Sequence, residues 1–219
     1  MISESLDLSI IYKKLYSYFG EQHWWPADSK LEMILGAILT QNTSWKNVEK
    51  VIKNLKTKNL MTLENLFKIS DKYLAEQIRA SGFYRQKARR IKNFVEIIIR
   101  DFNGNLELFL SQEDLYEKLI KINGIGRETA DSIILYAADK PVFVIDLYTL
   151  RILKRLGYDI KENKKDYTKA QKLFYGSLRD DVSQFKEYHA LLVLLGKLYC
   201  KKVPDCEHCP LNDLCKKAI

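Results

Sequence analysis

Apolar residues recur at helical intervals along most of the chain. Near the start, Leu8, Ile11 and Leu15 would share one face of a helix. Residues 31–39 are apolar on nearly every side, which predicts a helix buried in a core. Further amphipathic segments follow at 47–58, 62–69, 70–80, 87–102 and 111–122.

Four of these segments start with a residue type that commonly caps helices. The four residues are Asn47, Thr62, Ser70 and Ser111. Only residues 141–145, PVFVI, look extended, and no similar run elsewhere offers them a partner strand. We interpret them as a linker, so the pattern predicts an all-α protein.

Residues 119–146 carry the strongest local signal. A predicted helix ends at Gly124-Ile125-Gly126, a second helix follows, and Asp146 comes after the linker. Two glycines around one aliphatic residue let the backbone turn sharply and approach another molecule closely. The N–H groups that open the second helix then point outward, where they bind phosphate. A phosphate-binding hairpin followed by one carboxylate suggests chemistry on a nucleic acid.

The charge balance is compatible with this interpretation. The 219 residues include 36 Lys and Arg against 28 Asp and Glu, a net charge of +8. Such an excess favours a polyanionic partner, although a merely solubilising surface charge explains it equally well. Neither a membrane-spanning stretch nor a signal-peptide pattern is visible, and we expect a protein of the cytoplasm without a membrane partner.

All four cysteines lie in the last twenty residues. They are Cys200, Cys206, Cys209 and Cys215. In a reducing compartment, such clustering indicates metal binding and argues against a disulfide framework.

Five segments of the chain together resemble a known family. They are LGAILTQNTSWKNV, SGFYRQKARRI, NGIGRETA with Asp146 behind it, VIDLYTLRIL and the cysteine segment. In this order they resemble the helix-hairpin-helix DNA glycosylases of the endonuclease III superfamily, and the likeness extends over residues 24–215. WWP at 24–26 adds a likeness to the 3-methyladenine-specific branch.

The resemblance implies two helical lobes. Residues 26–140 would form a six-helix barrel that contains the helix-hairpin-helix motif at 119–135. Residues 1–25 and 141–219 would form a second lobe with Asp146 and the cysteines. It also implies a monomer that binds double-stranded DNA containing damaged bases.

The implied chemistry is base excision. A damaged nucleotide is flipped out of the duplex into a pocket between the lobes, and cleavage of its N-glycosidic bond passes through an oxocarbenium-like sugar. Asp146 would stabilise that cation and orient the attacking water. Members that also cut the DNA backbone carry a lysine where this chain has Glu128. The substitution predicts a monofunctional glycosylase, although Lys121 or Lys140 remains a possible replacement amine.

The base pocket implied by the likeness is aromatic. It would contain Trp24, Trp25, Pro26, Asn42 and Trp45. Two indole rings stack well on a cationic alkylated purine, so 3-methyladenine is the preferred substrate class. Two alternatives remain: a glycosylase for uracil, mispaired thymine or 5-substituted uracil, with Asn42 reading the base, and a non-catalytic DNA-binding protein.

A further group of residues is expected to contact DNA. Gln41 would fill the gap left by the flipped base, and Phe83 would act as an apolar wedge in the duplex. The phosphate-contacting set is Arg85, Lys87, Gly124, Gly126, Arg127 and Thr129. His189 lies on an apolar helix, where a structural role is expected.

The cysteine spacing resembles a cluster-binding loop. Five, two and five residues separate the four cysteines, whereas the cluster-bearing relatives have six in the first gap. We expect a [4Fe–4S] cluster bound by Cys200, Cys206, Cys209 and Cys215, with tetrahedral zinc as the alternative.

Overall fold

The computed structural model describes residues 6–179 and 181–217, and this part of the chain is all-helical. It contains twelve α-helices, two short 3₁₀ turns and no β-strand. None of these helices combines the length and apolarity needed to cross a membrane. The predicted all-α class is confirmed, and the extended residues 141–145 form a linker.

The chain divides into two compact units. The central unit is Pro26–Lys140, and the terminal unit combines the chain up to Trp25 with the chain from Pro141 onward. The central helices are α2 Lys30–Leu39, α3 Trp45–Thr57, α4 Leu63–Lys68, α5 Asp71–Gln77, α6 Tyr84–Asp101, α7 Leu106–Leu110, α8 Leu115–Lys121 and α9 Arg127–Tyr136. The terminal helices are α1 Leu8–Phe19, α10 Leu147–Leu156, α11 Tyr167–Ser177 and α12 Val182–Leu198.

Helix α2 forms the centre of the core in the central unit. Every residue of α2 except Lys30 is buried, as its continuous apolar sequence predicts. It packs against α3, α6 and α9, while α4 and α5 pack on α6. The chain segments just after α2 and just before α6 and α9 are therefore held by one core.

Two of the four predicted caps are correct. The hydroxyls of Thr62 and Ser70 accept hydrogen bonds from the N–H groups of Asn65 and Tyr73, and α4 and α5 begin there. Asn47 is wrong as a cap, because α3 begins two residues earlier, after Ser44. Ser111 is wrong as well: it ends α7, and α8 begins only after Asp114.

The linker in the terminal unit is fixed by side chains of α11. The Phe143 and Ile145 N–H groups donate to the hydroxyls of Tyr175 and Tyr167, at 3.2 and 3.3 Å. The Gln171 amide donates to the Phe143 carbonyl at 2.8 Å, and the Phe143 ring stacks on Phe174. These bonds replace those of a partner strand and hold the backbone immediately before Asp146 in place.

Candidate active site

Asp146 is the N-cap of α10 and has one oxygen committed to that helix. Its Oδ1 accepts hydrogen bonds from the N–H and the hydroxyl of Thr149, at 2.7 and 2.8 Å. Thr149 is fully buried, so these donors cannot turn to solvent. The carboxylate is thereby oriented by a buried partner, and its negative charge lies at the positive end of a helix.

The second oxygen of Asp146 faces α12. Oδ2 lies 4.0 Å from Nε2 of His189, and the Asp146 and His189 side chains are 14% and 6% exposed. Burial lowers the pKa of His189, Lys197 lowers it further, and Asp146 acts in the opposite direction. A neutral imidazole therefore lies beside the carboxylate at neutral pH.

Trp24 and Trp25 lie in the segment between α1 and the central unit. Their rings meet edge to face, with 5.8 Å between centroids, and both side chains are half-buried. The ammonium of Lys197 lies over the Trp24 ring, 5.3 Å from its centroid, so the indole face accepts a cation. Pro26, which follows Trp25, is exposed and begins the central unit.

Gln41 lies in the turn after α2 and is tied to the hairpin. Its amide nitrogen donates to the Thr129 hydroxyl at 2.9 Å and to the Gly124 carbonyl at 3.3 Å. Its amide oxygen accepts a hydrogen bond from the guanidinium of Arg90. The predicted gap-filling residue therefore has three partners within the central unit.

The two predicted pocket residues of this turn differ in their burial. Asn42 is exposed, and its φ of 54° lies in the left-handed region, which Asn tolerates better than most residues. Trp45 is half-buried and is the first residue of α3. Both side chains are placed by the turn that also holds Gln41.

The two hairpin glycines differ in whether the fold requires a glycine at that position. Gly124 has φ of 98°, and a Cβ there would overlap Cγ of Arg90. Gly126 has an ordinary φ of −92°, and a Cβ would meet nothing within 4 Å. Only Gly124 is required by the fold of the free protein, so the close backbone approach predicted for Gly126 needs a second molecule.

The residues after Gly126 divide between surface and interior. Arg127 is half-buried and Glu128 is exposed at the start of α9. Thr129 is buried and its hydroxyl accepts a hydrogen bond from the Gln41 amide, so its side chain supports the turn. Its N–H still belongs to the exposed N-terminus of α9.

The segment before α6 presents an exposed aromatic side chain. Phe83 is 64% exposed, has φ of 45°, and immediately precedes α6. Arg85 is exposed, with its guanidinium over the ring of Tyr84. The segment therefore holds a large apolar side chain in solvent, two residues from an exposed cation.

The prediction that Lys87 contacts a phosphate is wrong. The Lys87 side chain is fully buried, and its ammonium donates to the carbonyls of Leu39 and Ser81 at 2.8 and 2.6 Å. Burial lowers the pKa of Lys87 to about 8. The residue instead joins the C-terminal end of α2 to the segment that carries Phe83. Its spacing from Ile91 and Phe94 places it on the buried face of α6, a signal visible in the sequence.

The four cysteines follow α12 in a loop held by two arginines of α10. Arg155 donates to the carbonyls of Lys201 and Lys202 and to Sγ of Cys200, and Arg151 donates to the Cys200 carbonyl. Burial raises the pKa of the Cys209 and Cys215 thiols, and the neighbouring Cys200 and Cys206 raise both values further. Cysteine thiolates are the usual ligands of iron–sulfur clusters. Within residues 6–179 and 181–217, however, no three His, Cys, Asp or Glu side chains converge on one metal-ion position.

Sequence reasoning missed three side-chain contacts of this arrangement, those made by Thr149, Arg90 and His189. Thr149 was visible as the third residue after a capping Asp. Arg90 and His189 contact Gln41 and Asp146 across 49 and 43 residues of sequence, and no local pattern identifies such pairs.

Comparisons with known proteins identify the family of the chain. Residues 35–175 match the family described as HhH-GPD superfamily base excision DNA repair protein. A protein of Methanocaldococcus jannaschii named as a candidate DNA repair glycosylase is 43% identical over 94% of both chains. Endonuclease III of Thermotoga maritima is 30% identical over 84% of this chain and 81% of its own. The structure of H. pylori 3-methyladenine DNA glycosylase bound to 1,N6-ethenoadenine superposes with a TM-score of 0.79, at 34% identity over 88% of this chain and 98% of that one.

Proposed function

Since the chain belongs to the HhH-GPD superfamily of base excision DNA repair proteins and is a DNA glycosylase, we propose that its substrates are alkylated purines such as 3-methyladenine. The cation already held over the ring of Trp24 carries this proposal. A purine alkylated on its ring is itself a cation, and it would take the place of the Lys197 ammonium on the indole face. The 34% identical relative bound to an ethenoadenine supports the same substrate class.

In the proposed reaction, Asp146 is the catalytic carboxylate. Its charge would stabilise the oxocarbenium-like sugar that forms as the base leaves. Thr149 would keep the carboxylate oriented, so that little reorganisation is needed during the reaction. An alkylated purine leaves as a neutral base, and the mechanism therefore needs no general acid.

The remaining DNA contacts are proposed from exposure and backbone geometry. Phe83 would act as the wedge, with Arg85 on a phosphate beside it, and Gln41 would enter the gap after leaving its hairpin partners. The exposed backbone at Gly126 and the N-terminus of α9 with Arg127 would hold a phosphate. Trp25, Pro26, Asn42 and Trp45 would complete the surroundings of the base.

An excision panel tests the substrate class. Duplexes that carry 3-methyladenine, 7-methylguanine, uracil, hydroxymethyluracil or a T·G pair would be incubated with the protein, and the released bases would be identified by mass. We expect release of the alkylated purines. Release of pyrimidines alone would overturn the proposal and would favour the alternative in which the exposed Asn42 reads the base.

We also propose that water is the nucleophile and that the product is an intact abasic site. The exposed Glu128 carries no amine to attack the sugar. Borohydride trapping should give no covalent protein–DNA adduct with the parent protein, while Glu128→Lys should gain one. An adduct with the parent protein would contradict the assignment and would direct attention to Lys121 and Lys140.

For the cysteines we propose a [4Fe–4S] cluster bound by Cys200, Cys206, Cys209 and Cys215. Such a cluster would hold the basic loop that contains the four cysteines in a folded conformation, and no step of base excision depends on it. Protein purified without oxygen should contain about four irons and absorb broadly near 400 nm. One zinc and no such absorbance would establish the alternative. Light scattering of the same sample should give a monomer.

A further inference from the structure

His189 is a buried histidine whose ring faces the proposed catalytic carboxylate. It lies in the middle of α12, which packs against α10 and so brings the ring to the N-terminus of that helix. Its Nε2 is 4.0 Å from Oδ2 of Asp146. The only hydrogen bonds made by the Asp146 side chain within the described residues are those of Oδ1 with Thr149.

The distance between His189 Nε2 and Asp146 Oδ2 suits a bridging water molecule. A distance of 4.0 Å is too long for a direct hydrogen bond. It is the distance that one water molecule bridges with two hydrogen bonds of about 2.8 Å each. Since both side chains are largely buried, a molecule held there would be ordered by two fixed groups.

We propose that Asp146 Oδ2 and His189 Nε2 together hold the water that attacks the sugar, and that His189 accepts its proton. This inference rests on the proposed function and extends it by one residue. The water oxygen forms the new bond to C1′ of the sugar as the C1′–N bond breaks. The electron pair of that bond leaves with the alkylated purine, and the water proton passes to Nε2.

The surroundings of the ring support this role. Burial lowers the pKa of His189, so the ring is neutral and able to accept a proton at neutral pH. The charged groups that act on it are Asp146 at the start of α10 and Lys197 on its own helix. Helix α1 also packs on α12, where its Tyr12 ring meets the ring of Tyr188. After proton transfer the imidazolium would be stabilised by the nearby Asp146 carboxylate.

Two substitutions test the role of His189. His189→Phe fills the ring volume without an acceptor, and His189→Gln keeps a polar group that binds water but cannot take its proton. Single-turnover release of 3-methyladenine from DNA treated with dimethyl sulfate should fall about 100-fold for each variant. Affinity for a duplex with an abasic-site analogue should change less than about twofold, because no DNA contact is removed.

A matched control separates chemistry from packing. Tyr188→Phe, at the neighbouring buried position on α12, removes only the hydrogen bond from the tyrosine hydroxyl to the Leu8 carbonyl. It should lower the melting temperature and leave the release rate unchanged. In addition, the parent rate should decline as the pH falls and His189 protonates, whereas the His189→Gln rate should show no such decline.

The outcomes distinguish this inference from the proposed function. If Asp146→Asn is inactive while both His189 variants match the parent, His189 has no role and the proposed function stands. If His189→Phe does not fold, the pH dependence of His189→Gln decides. A release rate that still declines as the pH falls overturns the inference, and a rate without that decline supports it. If the parent releases no alkylated purine, the proposed function itself fails.

Discussion

Asp146 and Gln41 are both polar side chains at the end of a helix, yet they are held in opposite ways. Asp146 has one oxygen fixed by a buried threonine and its other oxygen facing His189. The Gln41 amide uses both its oxygen and its nitrogen on partners within the central unit. The carboxylate is ready to act as it stands. The amide must exchange its partners before it can enter a duplex.

This contrast separates two kinds of functional residue. A group that stabilises developing charge benefits from being fixed in advance, because reorganisation then costs nothing during the reaction. A group that fills a transient gap needs a stable position for the time when no gap exists. The same residue type, a buried threonine, serves both: Thr149 for Asp146 and Thr129 for Gln41.

The largest expected effect is on the support of Gln41, through Gly124→Ala. The new Cβ would occupy the position of the Arg90 side chain in a backbone with φ of 98°. Together, strain and displacement should cost about 3 kcal/mol in the free energy of unfolding. Urea unfolding measures it, with Gly126→Ala as the control that keeps parental stability. Equal losses for both variants would mean that the hairpin is not held by Arg90.

Lys87→Met should have the next largest effect. It leaves the Leu39 and Ser81 carbonyls without their donor, at a cost of about 2 kcal/mol in the free energy of unfolding. The pKa of Lys87 is about 8 in the folded protein, below that of an unfolded lysine. The unfolded state therefore binds more protons between pH 8 and 10.5, the ordinary pKa of lysine, and the stability of the parent relative to the variant should rise across this range. A difference that is constant with pH would show that Lys87 does not titrate in the fold.

Much of the fold could be predicted from the sequence, because it depends on local periodicity. Thr62 and Ser70 were recognisable as caps, and residues 31–39 were recognisable as buried. Lys87 was assigned to the surface because it stands in a run of basic residues, although its helical phase places it with Ile91. Gly124 and Asp146 were visible as a motif. The contacts of Arg90 and His189 were not, since they depend on packing between distant helices.

Thr149→Val should slow excision about tenfold, the loss of one hydrogen bond to a charged group. The isosteric valine removes the hydroxyl donor and leaves the backbone N–H on Oδ1. Single-turnover release of 3-methyladenine measures the effect. Thr149→Ser, which retains the hydroxyl, should stay close to the parent. An unchanged rate for Thr149→Val would mean that excision does not depend on the hydrogen bond that orients the Asp146 carboxylate.

Thr129→Val should have the smallest effect on rate. It removes the acceptor of the Gln41 amide and should lower the free energy of unfolding by about 1 kcal/mol. Because Gln41 leaves this acceptor to enter DNA in any case, excision should change less than about twofold. A tenfold loss of rate with Thr129→Val would show that Gln41 acts from its hairpin position, and the contrast with Asp146 would fail.

The most direct test of the account is the rate of base release by Asp146→Asn. The asparagine oxygen still caps α10, so the fold and DNA affinity should remain, while the negative charge is lost. The account predicts a fall of at least about 100-fold in single-turnover release of 3-methyladenine. Release at the parental rate by a folded Asp146→Asn protein would contradict it.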